Sequence, residues 1–213
     1  MERCITNMVS KSINDTDWFI LWYTDMGDYI VNRIFNSITY ILPTGNEKDC
    51  WLVDCGDVEK VIEQGWNVLG VLLTHAHCDH IYGLNKLMEA FPRALVYTNA
   101  EGKEGLMNPR WNFSHYHDDV EDFVLAHPEN VRVIEKECTI DLDGMQVAVV
   151  FVPGHEPSCL AFRIEDVLYT GDAYIPGVKV VTTFPRSNKQ KAAESLARLQ
   201  QMEASGLKVL PGH

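Results

Sequence analysis

The turn Thr74-His75-Ala76-His77-Cys78-Asp79-His80 constrains this chain more than any other stretch. Three histidines and an aspartate fall within six residues. The apolar run Asn67–Leu73 before it reads as a buried strand. After it, Leu84, Leu87, Met88 and Phe91 recur at helical spacing, which predicts a helix from near His80 to about Phe91. The donors therefore sit on a strand-to-helix turn. In extended backbone His75 and His77 point the same way, so one metal ion can be held by both imidazoles. Asp79 and His80, further round the turn, can address a second ion. Imidazole and carboxylate together suit zinc, iron or manganese. Burying four such groups without a metal would cost about 2 kcal/mol or more for each one left unpaired. A metal role therefore outweighs four incidental polar residues. Cys78 occupies the spacer between His77 and Asp79 and reads as a small space-filler.

Composition narrows the remaining classes. The chain has 213 residues, 46% of them hydrophobic, which fits a single domain over 1–213 with a substantial core. A net charge of −12 argues against a nucleic-acid-binding surface. No apolar run approaches the roughly 20 residues of a membrane span, and the N-terminus shows no signal-peptide pattern. Six scattered cysteines without a CxxC pair suit reduced thiols and a cytoplasmic location. The expected partner is a small-molecule substrate; the oligomeric state is open.

Along the chain, Trp18–Tyr23 reads as a buried strand or docking surface. Ile38–Leu42 and Cys50–Asp54 read as a hairpin, with Asp54 placed to brace the histidine turn. Asp57 is a candidate cap for a short helix through Gln64. Ala94–Thr98 follows as a strand, so strands and helices alternate in an α/β pattern. The polar stretch 101–130 is expected to mix a helix over Asp118–Ala126 with loop. His115 and His117 repeat the spacing of the first pair, but no strand or carboxylate motif accompanies them, and they read as lid or surface residues. Beyond 130 the chain is β-rich, with strands at 131–134, 139–142, 146–152, 160–164 and 167–170. A helix over 189–203 and a last strand at 207–210 complete it.

Three more donors share the context of the histidine turn. His155, Asp172 and His213 each stand just past an apolar strand, after a glycine that allows an unusual backbone turn. Four strand ends carrying donors toward one sheet edge would assemble a metal site from distant segments.

These motifs, HxHxDH (His75, His77, Asp79, His80), Pro-Gly-His (His155), Gly-Asp (Asp172) and the final Pro-Gly-His (His213), resemble the metallo-β-lactamase-fold hydrolases. The resemblance runs in order from Asp54 to His213. It implies an αββα sandwich, two mixed β-sheets face to face with helices outside. It also implies two divalent ions, zinc first, with iron or manganese also fitting. His75, His77 and His155 would hold one ion, Asp79, His80 and His213 the other, and Asp172 would bridge them. The ions would activate a hydroxide, with Asp79 and Asp172 as catalytic residues.

An aspartate at 172 and a histidine at 80 look more like glyoxalase II and its relatives than the best-known zinc β-lactamases. That branch points to a small thioester or ester. Lactonases, phosphodiesterases and, as a different chemistry, mononuclear iron persulfide dioxygenases are related alternatives. Thr182–Asn188 is similar to the RTDFP-type segment of glyoxalase II-like proteins, with Thr182 in place of the arginine and no aspartate after Thr183. The chain is expected to be a short form without the glutathione-holding helical domain. Tyr174 is placed like the tyrosine with which lactonases steady a substrate oxygen, and is a candidate catalytic residue; packing is its other reading.

Overall fold

Alternation of side chains along each strand dictates a layered molecule. In β3 (Asp49–Val53), Cys50 and Leu52 join one hydrophobic cluster while Trp51 and Val53 join another. In β4 (Asn67–Leu72), Val71 and Leu72 divide in the same way. Both faces of these strands are therefore buried, and two layers must cover them. The computed structural model, which describes residues 28–213, supplies those layers; the stretch 1–17 and the run Trp18–Tyr23 lie outside the described residues.

Strands β1 (Tyr29–Val31), β2 (Ile38–Pro43), β3, β4, β5 (Leu95–Thr98) and β6 (Val131–Val133) form one sheet in that order. Its first three strands are antiparallel and the rest run parallel from β3 onward. The expected hairpin is there, with Ile41 opposite Leu52. The second sheet contains β7 (Cys138–Leu142), β8 (Met145–Phe151), β9 (Leu160–Ile164), β10 (Val167–Gly171) and β11 (Lys208–Pro211), ordered β11-β10-β9-β8-β7. Only β10 and β11 pair in parallel there. Between the sheets lie Tyr40, Trp51, Leu72, Val149, Phe162 and Leu210.

Helices α1 (Val58–Glu63), α2 (Cys78–Ile81), α3 (Leu84–Ala90) and α4 (Ala100–Leu106) lie on the first sheet. Val61, Ile81, Leu87 and Leu106 pack there against Leu52 and Val71. Helix α5 (Lys189–Ala204) packs Leu199 against Val152, Leu168 and Val209 of the second. This is the expected αββα sandwich of two mixed sheets. No helix among the described residues is long and apolar enough to cross a membrane.

Three local expectations are corrected. The helix after the histidine turn breaks into α2 and α3, because the Gly83 amide donates to the Cys55 carbonyl instead of continuing the ladder, an approach so close that a Cβ there would lie 2.0 Å from the Gly56 carbonyl. Asp57 stands at the start of α1 without capping it through its side chain. Its carboxylate instead accepts hydrogen bonds from Lys60, Tyr82 and the Arg33 amide. Residues 118–126 are irregular, and a helix lies at α4 instead. The main chain there is claimed by other segments: the Phe123 amide by Ser114 Oγ, its carbonyl by Asn112, the Leu125 amide by the Leu106 carbonyl and the Ala126 amide by Asn85. Helix α4 escapes a propensity reading because it carries Gly102 and Gly105. A Cβ at these positions would meet Thr98 Oγ1 at 2.0 Å and Ala76 Cβ at 2.7 Å.

Candidate metal centre

Strands β8, β10 and β11 point the same way in the second sheet, so their C-terminal ends fall at one edge, and the end of β4 faces them from the first sheet. Gly154 turns the chain after β8 with φ +142°, a region closed to most side chains. Gly212 serves differently: a Cβ there would lie 2.4 Å from Asp172 Oδ1, so it supplies room rather than a special φ.

The seven donors predicted from sequence come together as overlapping groups. His75, His77 and His155 form one trio and Asp79, His80 and His213 another, while Asp172 groups with His75 and His80. His77 Nδ1 faces His155 Nε2 at 3.2 Å, and His80 Nε2 faces His213 Nε2 at 3.3 Å. Two nitrogens bound to one tetrahedral ion at about 2.0–2.1 Å would lie about 3.3 Å apart, so the spacing suits a shared metal. One Asp172 oxygen lies 3.6 Å from His155 Nε2 and 4.0 Å from His75 Nε2. The other lies 3.5 Å from both His80 Nε2 and His213 Nε2. His75 Nε2 and Asp172 Oδ1 are buried without a hydrogen-bond partner. Orphaned polar atoms converging on one point fit a cation between them. The set could hold two divalent ions.

Supporting groups fix which ring nitrogen is free. His155 Nδ1 meets the Val181 carbonyl at 2.9 Å, His213 Nδ1 the Phe35 carbonyl at 3.1 Å, and His80 Nδ1 Asp54 Oδ2 at 2.9 Å. Each partner accepts from Nδ1–H, leaving Nε2 as the donor to metal. Asp54 also accepts from the Thr74 amide and hydroxyl, at 2.8 and 2.7 Å. It does so in a left-handed conformation, φ +59°, at the end of β3. The bracing role read from sequence is thus realised in three hydrogen bonds.

Electrostatics divide the trios. Burial pushes the His77 imidazole down to about 3, with His155 adding to the effect, and lowers His75 well below its ordinary value together with His80 and His77. Burial also opposes charge on His80 and His213, but here carboxylates outweigh it. Asp79, Asp54 and Asp172 raise His80, while Asp172 and Asp79 raise His213 to about 9. Burial would raise Asp79 and Asp172 in turn, yet His80 and His213 hold both below the usual carboxylate range.

The structure corrects the catalytic expectation for Tyr174. Its ring packs with Val152, Leu168 and Leu199 under α5, and its hydroxyl donates to Glu203 at 2.6 Å. It is a packing residue. His115 pairs with Asp122 at 3.1 Å and His117 lies edge-on to Phe35; neither joins a metal-capable group. Cys78 is buried outside those groups, and burial pushes its thiol up to about 12.

Sequence reasoning missed Glu156. It is 2% exposed, and burial raises its carboxyl even though it accepts hydrogen bonds from the Ser158 amide and hydroxyl. Ser158 in turn accepts from the Ala76 amide at 3.1 Å, between His75 and His77. Arg186 approaches Glu156 at 3.3 Å and stacks on Trp111 at 4.3 Å. An acidic residue directly beside a ligand histidine is the one sequence cue to this link.

Comparison with known proteins places the fold. A family model described as the metallo-beta-lactamase superfamily matches residues 33–213. A probable metallo-hydrolase of Streptococcus pyogenes serotype M6 is 27% identical over 205 residues, covering 91% of this chain and 87% of that protein. Hydroxyacylglutathione hydrolase of Hydrogenovibrio crunogenus is 25% identical over 175 residues, covering 78% of this chain and 55% of that enzyme. The match thus spans about half the length of that relative. Among solved structures, the BLEG-1 B3 metallo-beta-lactamase has a TM-score of 0.76 at 22% identity, covering 87% of this chain and 90% of that one. TTHA1623, solved in a di-iron-bound form, has a TM-score of 0.71 at 25% identity, covering 87% and 91%.

Proposed function

The chain belongs to the metallo-beta-lactamase superfamily, and from that premise we propose that it is a dinuclear metal-dependent hydrolase of a small thioester or ester. The observation that carries this reading is Asp172, whose two oxygens address the two trios separately. In this proposal His75, His77 and His155 hold one ion, Asp79, His80 and His213 the second, and Asp172 both. Divalent ions there would supply Lewis acidity, lowering the pKa of a water and polarising the carbonyl under attack.

The chain's own side chains do the rest. Asp54, the Phe35 carbonyl and the Val181 carbonyl fix the imidazole orientations. The Asp79 carboxylate, 3.3 Å from His80 Nε2 and 3.4 Å from His213 Nε2, is a hydrogen-bond acceptor placed to orient an attacking water rather than a strong base. Zinc is the proposed metal. Iron is second, favoured by the di-iron form of TTHA1623. With Tyr174 turned under α5, the feature that pointed to a lactonase is gone. A small-molecule substrate and a cytoplasmic setting belong to the same proposal.

The test is a panel of thioester, lactone and phosphodiester substrates on protein loaded separately with zinc, iron or manganese. The highest kcat/KM is expected on a thioester with two metals per chain. Absence of thioester and ester hydrolysis from all three loaded forms would overturn the reading. One iron per chain with oxygen consumption on a persulfide would replace it with an oxygenase.

A further inference from the structure

Beside the trio of His75, His77 and His155 stand aromatic rings that the metal chemistry does not use. Phe113 lies edge-on to His77 with ring centroids 4.9 Å apart. Phe184 lies 5.1 Å from His77 and 5.5 Å from His155, and the two phenyl rings meet at 4.9 Å. Both are only partly buried. The row continues outward from Phe113 to Tyr116 at 6.2 Å, and Tyr116 is 61% exposed. On the other side of the donors, a small cavity of about 30 Å³ is lined by His155, Asp172, Ile175, Val178, Val180 and Val181, with Lys179 among them. The aromatic side is thus the more apolar of the two. A row of aromatic rings running from partly buried to exposed beside a polar site offers a place where an apolar group can dock.

The rings are held in place. Phe113 has φ +66°, a conformation that costs a residue with a side chain, and it persists because its neighbours are tied down. The Asn112 amide donates to the carbonyls of Gly105 and Phe123, and Asn112 Oδ1 accepts from the Ser114 amide. Behind Phe184, the Ser187 amide donates to the Phe184 carbonyl and the Ser187 hydroxyl to the His155 carbonyl. Arg186 stacks on Trp111, joining the two segments that carry the rings. Strain and anchoring spent on holding two phenyl rings beside His77 point to a preorganised subsite.

We propose that Phe113 and Phe184 form the acyl subsite, and that the substrate carries an apolar acyl group, a flat aromatic one above all. The proposal deepens the hydrolase reading and rests on it. The carbonyl would sit at the donors and the acyl tail would lie along the two rings toward Tyr116.

The test uses the metal-loaded protein and product-like carboxylates, with binding of acetate, hexanoate and phenylacetate measured by calorimetry. Phenylacetate is expected to bind about tenfold more tightly than acetate, from the apolar area removed from water. Phe113→Gly removes one ring without opposing the positive φ, and Phe184→Ala removes the other. With both, the preference should fall below twofold while metal content stays at the wild-type value. Phe184→Leu, which keeps bulk but not flatness, should retain hexanoate binding and lose the phenylacetate advantage. Equal binding of acetate and phenylacetate by the wild-type protein overturns the proposal, as does a preference that survives loss of both rings. Loss of metal in either variant would make the rings braces for the imidazoles and overturn it equally. The binding readout needs no turnover. Failure to hydrolyse acetyl and phenylacetyl thioesters alike would therefore count against the hydrolase reading, separately from the subsite.

Discussion

The two donor trios sit side by side and are built on different principles. His75, His77 and His155 are all imidazole, at most 6% exposed, and burial keeps His75 and His77 neutral. Asp79, His80 and His213 include a carboxylate, and Asp54 adds a second one behind His80. The His213 side chain is 26% exposed. Its orientation depends on the carbonyl of Phe35, in a turn where Phe35 and Asn36 both have positive φ. The first trio is thus neutral and closed, the second charged and more open. The carboxylates of Asp79, Asp54 and Asp172 favour a cation at the second trio once His80 and His213 give up their protons, whereas the first trio offers neutral imidazoles in a rigid frame. Asp172 joins them, and the largest effect is expected there. Asp172→Ala should lower turnover on the order of a thousandfold or more, the scale of losing one fixed electrostatic group at a transition state. The thermal midpoint should move far less, since no strand pairing depends on the carboxylate. Near-wild-type turnover with both metals retained would show that the trios work without a bridge.

Next in size is the loss of one ligand from each trio. His155→Ala should lose the metal of the first trio and His213→Ala that of the second, with the other retained in each case after dialysis. Metal per chain, measured by emission spectrometry, checks both. If His213→Ala empties both positions, the trios are one cooperative unit and the contrast between them fails.

A smaller effect should come from Asp54, which reaches the trios unequally. It contacts His80 directly but reaches His75 only through Thr74, whose hydroxyl lies 3.2 Å from His75 Nδ1. Asp54→Asn should weaken metal at the second trio by about 10–100-fold, as loss of such a ligand-orienting partner typically does. Metal at the first trio should be much less affected. The stability cost should be about 1–3 kcal/mol, from a buried donor left without its acceptor. Equal weakening at both positions would mean that Thr74 transmits as much as the direct bond.

What could be read from sequence follows from the same physics. The candidate donors stand out because several His and Asp residues sit just past apolar strands; the strand and helix order gives an α/β pattern, and the sandwich comes from the family resemblance those motifs carry. The braces do not declare themselves. Ser37 donates to the Asp79 carbonyl from 42 positions away, and Ser158 accepts from Ala76 across 82. A serine in a loop has no local feature that reveals such a partner. Helix α4 was hidden because its glycines answer to Thr98 and Ala76 in other segments rather than to helix propensity. Residues 118–126 have helix-compatible composition, but their main chain is bonded elsewhere. Tyr174 is two residues from Asp172, yet the bend after β10 turns it under α5, a direction that linear distance does not encode.

The smallest effect separates backbone from side chain at the open end of the second trio. Phe35 holds His213 through its main-chain carbonyl, while its ring is on a residue 50% exposed and touches His117 with centroids 4.8 Å apart. Its φ of +51° suits glycine. Phe35→Gly loses the ring contact but relieves the left-handed strain, so stability should change by less than about 1 kcal/mol and metal at the second trio should be unchanged. Phe35→Val places a β-branched side chain in the same conformation at a cost of about 1–2 kcal/mol, and the turn can escape that cost by moving the carbonyl. Val should therefore loosen His213 and weaken metal at the second trio, with the first unaffected. Metal titrations of the two variants under the same conditions decide the matter. If Gly weakens the second metal and Val does not, the ring rather than the carbonyl holds His213, and the openness of the second trio would be a property of the Phe35–His117 ring contact rather than of its backbone.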